Sequence, residues 1–242
     1  MNKSDYWNRE EFEGLTSLSA ALRTESCLEQ LAAYCDLREK GLRREALTRL
    51  NAFIEQMRCV AVPDQRALAV HVLESHWRFP QAYRFLAVPL RNDFLERVLK
   101  EWRAADAKNP VPLRYLALLC RDGDLLEEAL RRNPQDDHVR ATLAGDFIDM
   151  VDYATHHLAE GEFIGDEDEA FAALAKADSL LSGAVEPSSV RALRHEVDEL
   201  AGLLADWKQY REAPEGTFPE WCLAQNRDHH WRSTVYYDGG AD

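Results

Sequence analysis

No run of about eighteen apolar residues occurs in the chain, which leaves no candidate for a membrane-spanning helix. The opening stretch MNKSDYWNREEFEG has no apolar core and no small-residue cleavage site, so it does not read as a secretory signal. Five cysteines (Cys27, Cys35, Cys59, Cys120 and Cys222) make an odd set with no CxxC pair. Three of them fall within apolar helical patterns, where a free thiol behaves as a small hydrophobe. Together these absences point to a reducing, cytoplasmic location. The chain also lacks a G-x-S-x-G elbow, a glycine-rich phosphate loop and an H-E-x-x-H pair, the linear marks of several catalytic sites. Basic residues are not segregated: they alternate with acids along the expected helices, and acids exceed them by 43 to 29. A formal charge of −14 repels a phosphate backbone, so nucleic acid is a poor partner. A basic protein surface is a better one.

What is present suits a helix-rich protein with a large core. Hydrophobic residues make up 46% of the chain, six Trp, eight Tyr and nine Phe among them, and glycine is sparse at eleven. Between 42 and 57 the apolar residues Leu42, Ala46, Leu50, Phe53, Ile54 and Met57 follow a helical period. A helix is also expected over 25–39, ended by Gly41, with others over 64–76 and 81–88, the last bracketed by Pro80 and Pro89. Phe94, Leu95, Val98, Leu99 and Trp102 mark a further apolar face. A long helix is expected over 136–160 and another over 168–181. The last strong pattern runs through Val190, Leu193, Val197, Leu200, Leu204 and Trp207.

Two segments, KNPVPLRYLALL and RNPQDDHVRATLA, share a basic residue, Asn-Pro, a spacer and an amphipathic start. Asparagine before proline is driven out of the helical region, so each Asn-Pro ends one helix and turns the chain. Pro110 and Pro134 stand 24 residues apart, an interval that must hold two short helices and two turns. The reading divides the chain into a first segment over 1–24, a helical-repeat domain over 25–213 and an aromatic tail over 214–242.

The helical pairs resemble tetratricopeptide repeats, in which a turn glycine precedes a crossing alanine, large apolar residues and often a proline. GLRREALTRLNAF supplies Gly41, Ala46, Leu50 and Phe53. GDLLEEALRRNPQDD supplies Gly123, Ala129 and Pro134, and GDEDEAFAALAKA supplies Gly165, Ala170, Leu174 and Ala177. The likeness covers 28–57 and 110–182. The family's Trp, Leu-Gly and Tyr positions are missing, and the period is irregular. The resemblance implies an all-α fold of antiparallel helix pairs stacked as an irregular TPR-like solenoid. It also implies a concave face that binds a protein or peptide.

Candidate chemistry is thin. His71 with Glu74 and His157 with Glu160 are i, i+3 pairs, but in the reverse order of the Glu-x-x-His pairs of di-iron bundles. The adjacent His156 and His157 point about 100° apart on a helix and do not chelate from one face. In the tail, Cys222 joins Asp228 and His229 only if the chain folds back. No cofactor and no catalytic residue is assigned, and the expected protein is not an enzyme. An all-helical enzyme with a metal site is the minor alternative.

The remaining expectations concern the partner. Glu160, Glu162, Asp166, Glu167, Asp168 and Glu169 form the densest run of acids, placed to favour a basic protein or peptide. A narrower reading is an immunity-type neutraliser of a basic toxin. Phe218, Trp221, Trp231, Tyr236 and Tyr237 give the tail large rings, suited to cap the exposed end of a helical stack or to anchor a partner.

Overall fold

The computed structural model describes residues 9–186, 188 and 190–229. Among them every regular element is helical, and eleven α-helices pack against one another. None is long and apolar enough to cross a membrane. The chain divides into two compact units, Met1–Cys120 and Arg121–Asp242.

The first unit contains α1 (Arg9–Leu22), α2 (Glu29–Glu39), α3 (Arg43–Arg58), α4 (Val62–Trp77), α5 (Arg97–Ala105) and α6 (Pro110–Cys120). α2 packs on both α1 and α3. Its end is fixed by Gly41, whose φ of +74° is open to glycine at no steric cost. The Gly41 N–H donates to the Arg38 carbonyl and the Leu42 N–H to the Leu37 carbonyl, the paired bonds of a Schellman stop. Apolar residues at helical spacing then bury as the pattern requires. Leu31, Ala32 and Cys35 of α2 meet Ala46, Leu50, Phe53 and Met57 of α3 in a fully buried layer.

The helix expected over 81–88 does not form: residues 81–87 make successive tight turns, and helical structure resumes only at Val88. Proline is accepted at a helix head as readily as it marks an end, because the first turn's N–H groups have no helical partner. Pro89 takes that role with φ −62° and ψ −42°, opening a π-helical turn (Leu90–Glu96) that runs into α5. The freed segment instead lies against α1 and α2. Ala82 and Phe85 are fully buried, and the Tyr34 hydroxyl donates to the Phe85 carbonyl at 3.1 Å.

Gly14 of α1 makes that approach possible, since a Cβ there would stand 2.9 Å from the Ala82 nitrogen and 3.1 Å from the Gln81 carbonyl carbon. Gly14→Ala is therefore expected to lower stability by about 1–3 kcal/mol, against the usual gain of alanine over glycine inside a helix. Chemical denaturation checks this, and a stabilised variant would show that the segment does not sit against α1.

The second unit contains α7 (Gly123–Arg132), α8 (Asp137–Thr155), α9 (Glu167–Ser182), α10 (Arg191–Glu212) and α11 (Phe218–Ala224). Four of these starts are capped by side chains. Asp122, Asp136 and Asp166 accept from the N–H groups of Leu125, Val139 and Glu169, and Thr217 with Glu220 forms a capping box. α7 is short because Asn133-Pro134 stops it one turn before Asp136 starts α8. α8 itself ends at Thr155, earlier than expected, and a short 3-10 turn (Leu158–Glu160) follows.

Alanine lets α8 and α9 come close. Ala144 and Ala154 of α8 and Ala170, Ala173 and Ala177 of α9 share one core with Ile148, Val151, Leu174 and Leu181. Val197 and Leu204 of α10 close it. Arg140, almost fully buried, donates to the carbonyls of Pro134 and Leu180 and so ties the start of α8 to the end of α9.

Candidate functional site

Two features of the second unit stand out, and they share a histidine. The first is a groove of about 830 Å³ between α8 and α10. Asp149 and Asp152 lie at helical spacing along α8 with His156 just past its end, and Glu196, Glu199 and Leu203 follow one another along α10. Each stripe borders the apolar face that its helix buries, with Ile148, Leu200 and Leu203 contributing apolar surface to the groove. Asp198, Asp228 and His229 complete the polar wall. The lining therefore holds six carboxylates and two histidines, with no lysine or arginine among the described residues. Arg121 pairs with Asp146 and reaches Asp149 at 3.2 Å, and His195 stands 3.8 Å from Glu199. Five of these six carboxylates are solvent-exposed, so their summed charge gives the groove a salt-screened negative potential, which a cationic occupant relieves.

The acidic run that the sequence singled out lies elsewhere, since none of its six residues lines the groove. Three have local partners. Glu160 binds the His157 Nδ1 at 2.6 Å, Asp166 caps α9, and Glu167 accepts from Trp207 Nε1 at 3.0 Å while pairing with Arg211. Glu162, Asp168 and Glu169 are exposed. The pair His71 and Glu74 lies on α4 of the first unit: Glu74, exposed, accepts from the Tyr115 hydroxyl at 2.5 Å, and His71 Nε2 is buried without a partner among the described residues.

The second feature is a cluster of Asp206, Cys222 and His229, whose donor atoms all lie within 4.8 Å of one another. It exists because the chain after α11 turns back. Asn226 adopts φ +55°, a conformation asparagine tolerates better than most residues, and the Arg227 N–H donates to the Cys222 carbonyl at 2.9 Å. That turn delivers Arg227 and His229 to Asp206 on α10. Arg227 pairs with one carboxylate oxygen, and His229 Nε2 stands 2.8 Å from the other.

Asp206 and Cys222 are almost completely buried. Burial, with the Asp206 carboxylate beside it, pushes the Cys222 thiol up to about 11 despite the opposing Arg227 charge. The ring cluster around α11 holds this arrangement. Phe218 meets Trp207 edge-on at 5.1 Å and Tyr210 at 5.3 Å, and the Tyr210 hydroxyl donates to the Gly216 carbonyl. Of the tail rings singled out by the sequence, Trp231, Tyr236 and Tyr237 lie outside the described residues, as does His230.

The acid that joins Cys222 and His229 is Asp206 rather than the neighbouring Asp228. Sequence reading missed it because Asp206 lies 16 residues before Cys222, inside a strong apolar helix. A signal was available: Asp206 falls between Leu203, Leu204 and Trp207, on the face that α10 turns inward, where an aspartate requires a partner. No family model, no curated protein and no solved structure matches this chain.

Proposed function

We propose that this is a protein-interaction or adaptor protein whose second unit receives a basic segment of a protein or peptide in the groove between α8 and α10. One observation carries this reading: a groove lined by six carboxylates and no lysine or arginine among the described residues. Such a lining speeds encounter with a basic partner and makes binding salt-dependent. The helical pairs are read as degenerate tetratricopeptide-like units. Support comes from the φ of +74° at Gly41 and +88° at Gly165, and from burial of the crossing alanines Ala46, Ala129 and Ala170. The rings of α11 are read as the cover of the last pair, supported by Phe218 and Trp221 packing on Trp207 and Tyr210.

The test is affinity capture from the native cell at low and high salt. It compares the wild-type chain with Glu196→Lys/Glu199→Lys and with Glu162→Lys/Asp168→Lys, all four positions being exposed. The expected result is a basic partner, lost at high salt, and weakened roughly tenfold or more only by the α10 pair of changes. Loss only in the Glu162/Asp168 variant would move the binding surface to the acidic run before α9. An acidic partner, or capture indifferent to salt and to both variants, would end the electrostatic reading. A captured basic toxin would narrow the role to that of a neutraliser.

A further inference from the structure

We infer that Asp206, Cys222 and His229 form a binding site for a divalent transition-metal ion of the zinc class, with Arg227 as an outer partner. The donors come from three separate places: mid-α10, the last turn of α11 and the returning segment. Among the described residues they are the one group of three His, Cys, Asp or Glu donors so close together. Thiolate, imidazole and carboxylate are the donor types zinc takes, whereas calcium and magnesium prefer oxygen alone.

The spacing suits zinc. Bonds of about 2.0–2.3 Å in a tetrahedron set donor atoms roughly 3.3–3.8 Å apart. The three atoms lie within 4.8 Å of one another, and the His229–Asp206 approach is 2.8 Å, so small side-chain adjustments bring all three to one centre. Arg227 does not compete for the same oxygen. It pairs with Oδ1 of Asp206, whereas His229 faces Oδ2, leaving Oδ2 as the ligand and Oδ1 as the atom that orients the carboxylate.

A thiolate and a carboxylate offset the ion's two positive charges, Arg227 remains beside them as one further cation, and binding releases the Cys222 thiol proton to the buffer. Three protein donors leave one of zinc's four positions for water or for a donor brought by an occupant. His229 also lines the acidic groove, whose carboxylates attract cations toward this end of α10. A purely structural role is the competing account, in which Arg227 and His229 serve only to neutralise buried Asp206.

The two accounts separate in one experiment on the full chain. Chelator-treated protein is titrated with zinc alone, and metal per chain is measured after dialysis. Cobalt is used in parallel, because a thiolate ligand produces a charge-transfer band in the near ultraviolet. The expected result is about one metal per chain, a higher melting temperature with zinc, and a thiolate–cobalt band. Cys222→Ser should abolish the band and weaken zinc at least about tenfold, His229→Gln should weaken zinc similarly, and Cys120→Ser should change neither. His229→Gln keeps a group able to donate to Asp206, so it decides the question if Cys222→Ser fails to fold. Protein that retains no metal overturns the site. So does metal whose stoichiometry and affinity are the same in His229→Gln as in the wild type.

Discussion

Phe53→Ala should destabilise the first unit by about 3–5 kcal/mol, the usual cost of emptying a phenylalanine site in a closed core. Phe53 is fully buried on α3 and meets Phe94 of the π-helical turn edge-on, with ring centroids 5.2 Å apart and planes at 82°. An edge-on aromatic pair contributes about 0.5–1.5 kcal/mol beyond the area it buries. The neighbouring Leu50, Met57, Leu90 and Leu95 are also fully buried, and interiors of this kind relax only partly around a lost ring. Phe53→Leu should therefore cost clearly less than Phe53→Ala, and Tyr83→Ala, on a side chain 56% exposed, should cost almost nothing. Hydrogen exchange reads the effect by segment. Protection in α2 and α3 should fall by about two to three and a half orders of magnitude in Phe53→Ala, following about 1.4 kcal/mol per decade. A fall of less than about tenfold would mean that the ring pair does not hold α3 to the turn.

Much of this architecture was legible where a local rule has a single physical outcome. Gly41 had to break a helix because its successor must fold back through a left-handed residue, and the Schellman bonds at Arg38 and Leu37 realise that. Asn133-Pro134 had to stop α7, whereas the caps that Asp122, Asp136 and Asp166 place on α7, α8 and α9 are seen in the structure. Pro89 has two permitted readings, as an end or as a head, and periodicity over eight residues does not choose between them. The choice came from tertiary contact: Gly14 on α1 accepts the backbone of Gln81 and Ala82.

The candidate sites were less legible for the same reason. Asp149 and Asp152 on α8, and Glu196 and Glu199 on α10, each read as an ordinary solvated helix face. They become one groove only because α9 packs against both helices and α10 returns beside α8. Asp206 likewise reads as one polar residue in an apolar stripe. Its meaning depends on Asn226 turning the chain through a conformation that asparagine, unlike glycine, only sometimes adopts.

Acid should weaken the first unit through His76 before it weakens it through carboxylates. The His76 ring lies 5.4 Å from Phe85, and its Nδ1 is buried without a partner among the described residues. Burial lowers its pKa from 6.5 to about 4. The neutral ring is therefore the form the fold accepts, whereas the unfolded chain takes up a proton near pH 6.5. Above that pH neither state is protonated and His76 contributes no pH dependence. As pH falls from 6.5 towards 4 the unfolded state binds the extra proton, and stability declines by up to about 3 kcal/mol in total.

Asp36 acts in a lower window. Burial pulls its carboxyl upward, but hydrogen bonds from Ser19 and Arg23 and the Arg23 charge outweigh this and hold it below the usual range. The stability it contributes is present above the ordinary aspartate pKa of about 3.9 and is lost only below it. The two effects are separated by replacing the histidine alone. His76→Phe keeps a ring against Phe85 and removes the titration, so the stability difference between the variant and the wild type should grow in the variant's favour between pH 6.5 and 4. Denaturant unfolding at several pH values measures that difference. If it stays constant across the window, His76 does not resist protonation in the folded chain, and the acid sensitivity of this unit belongs to other groups.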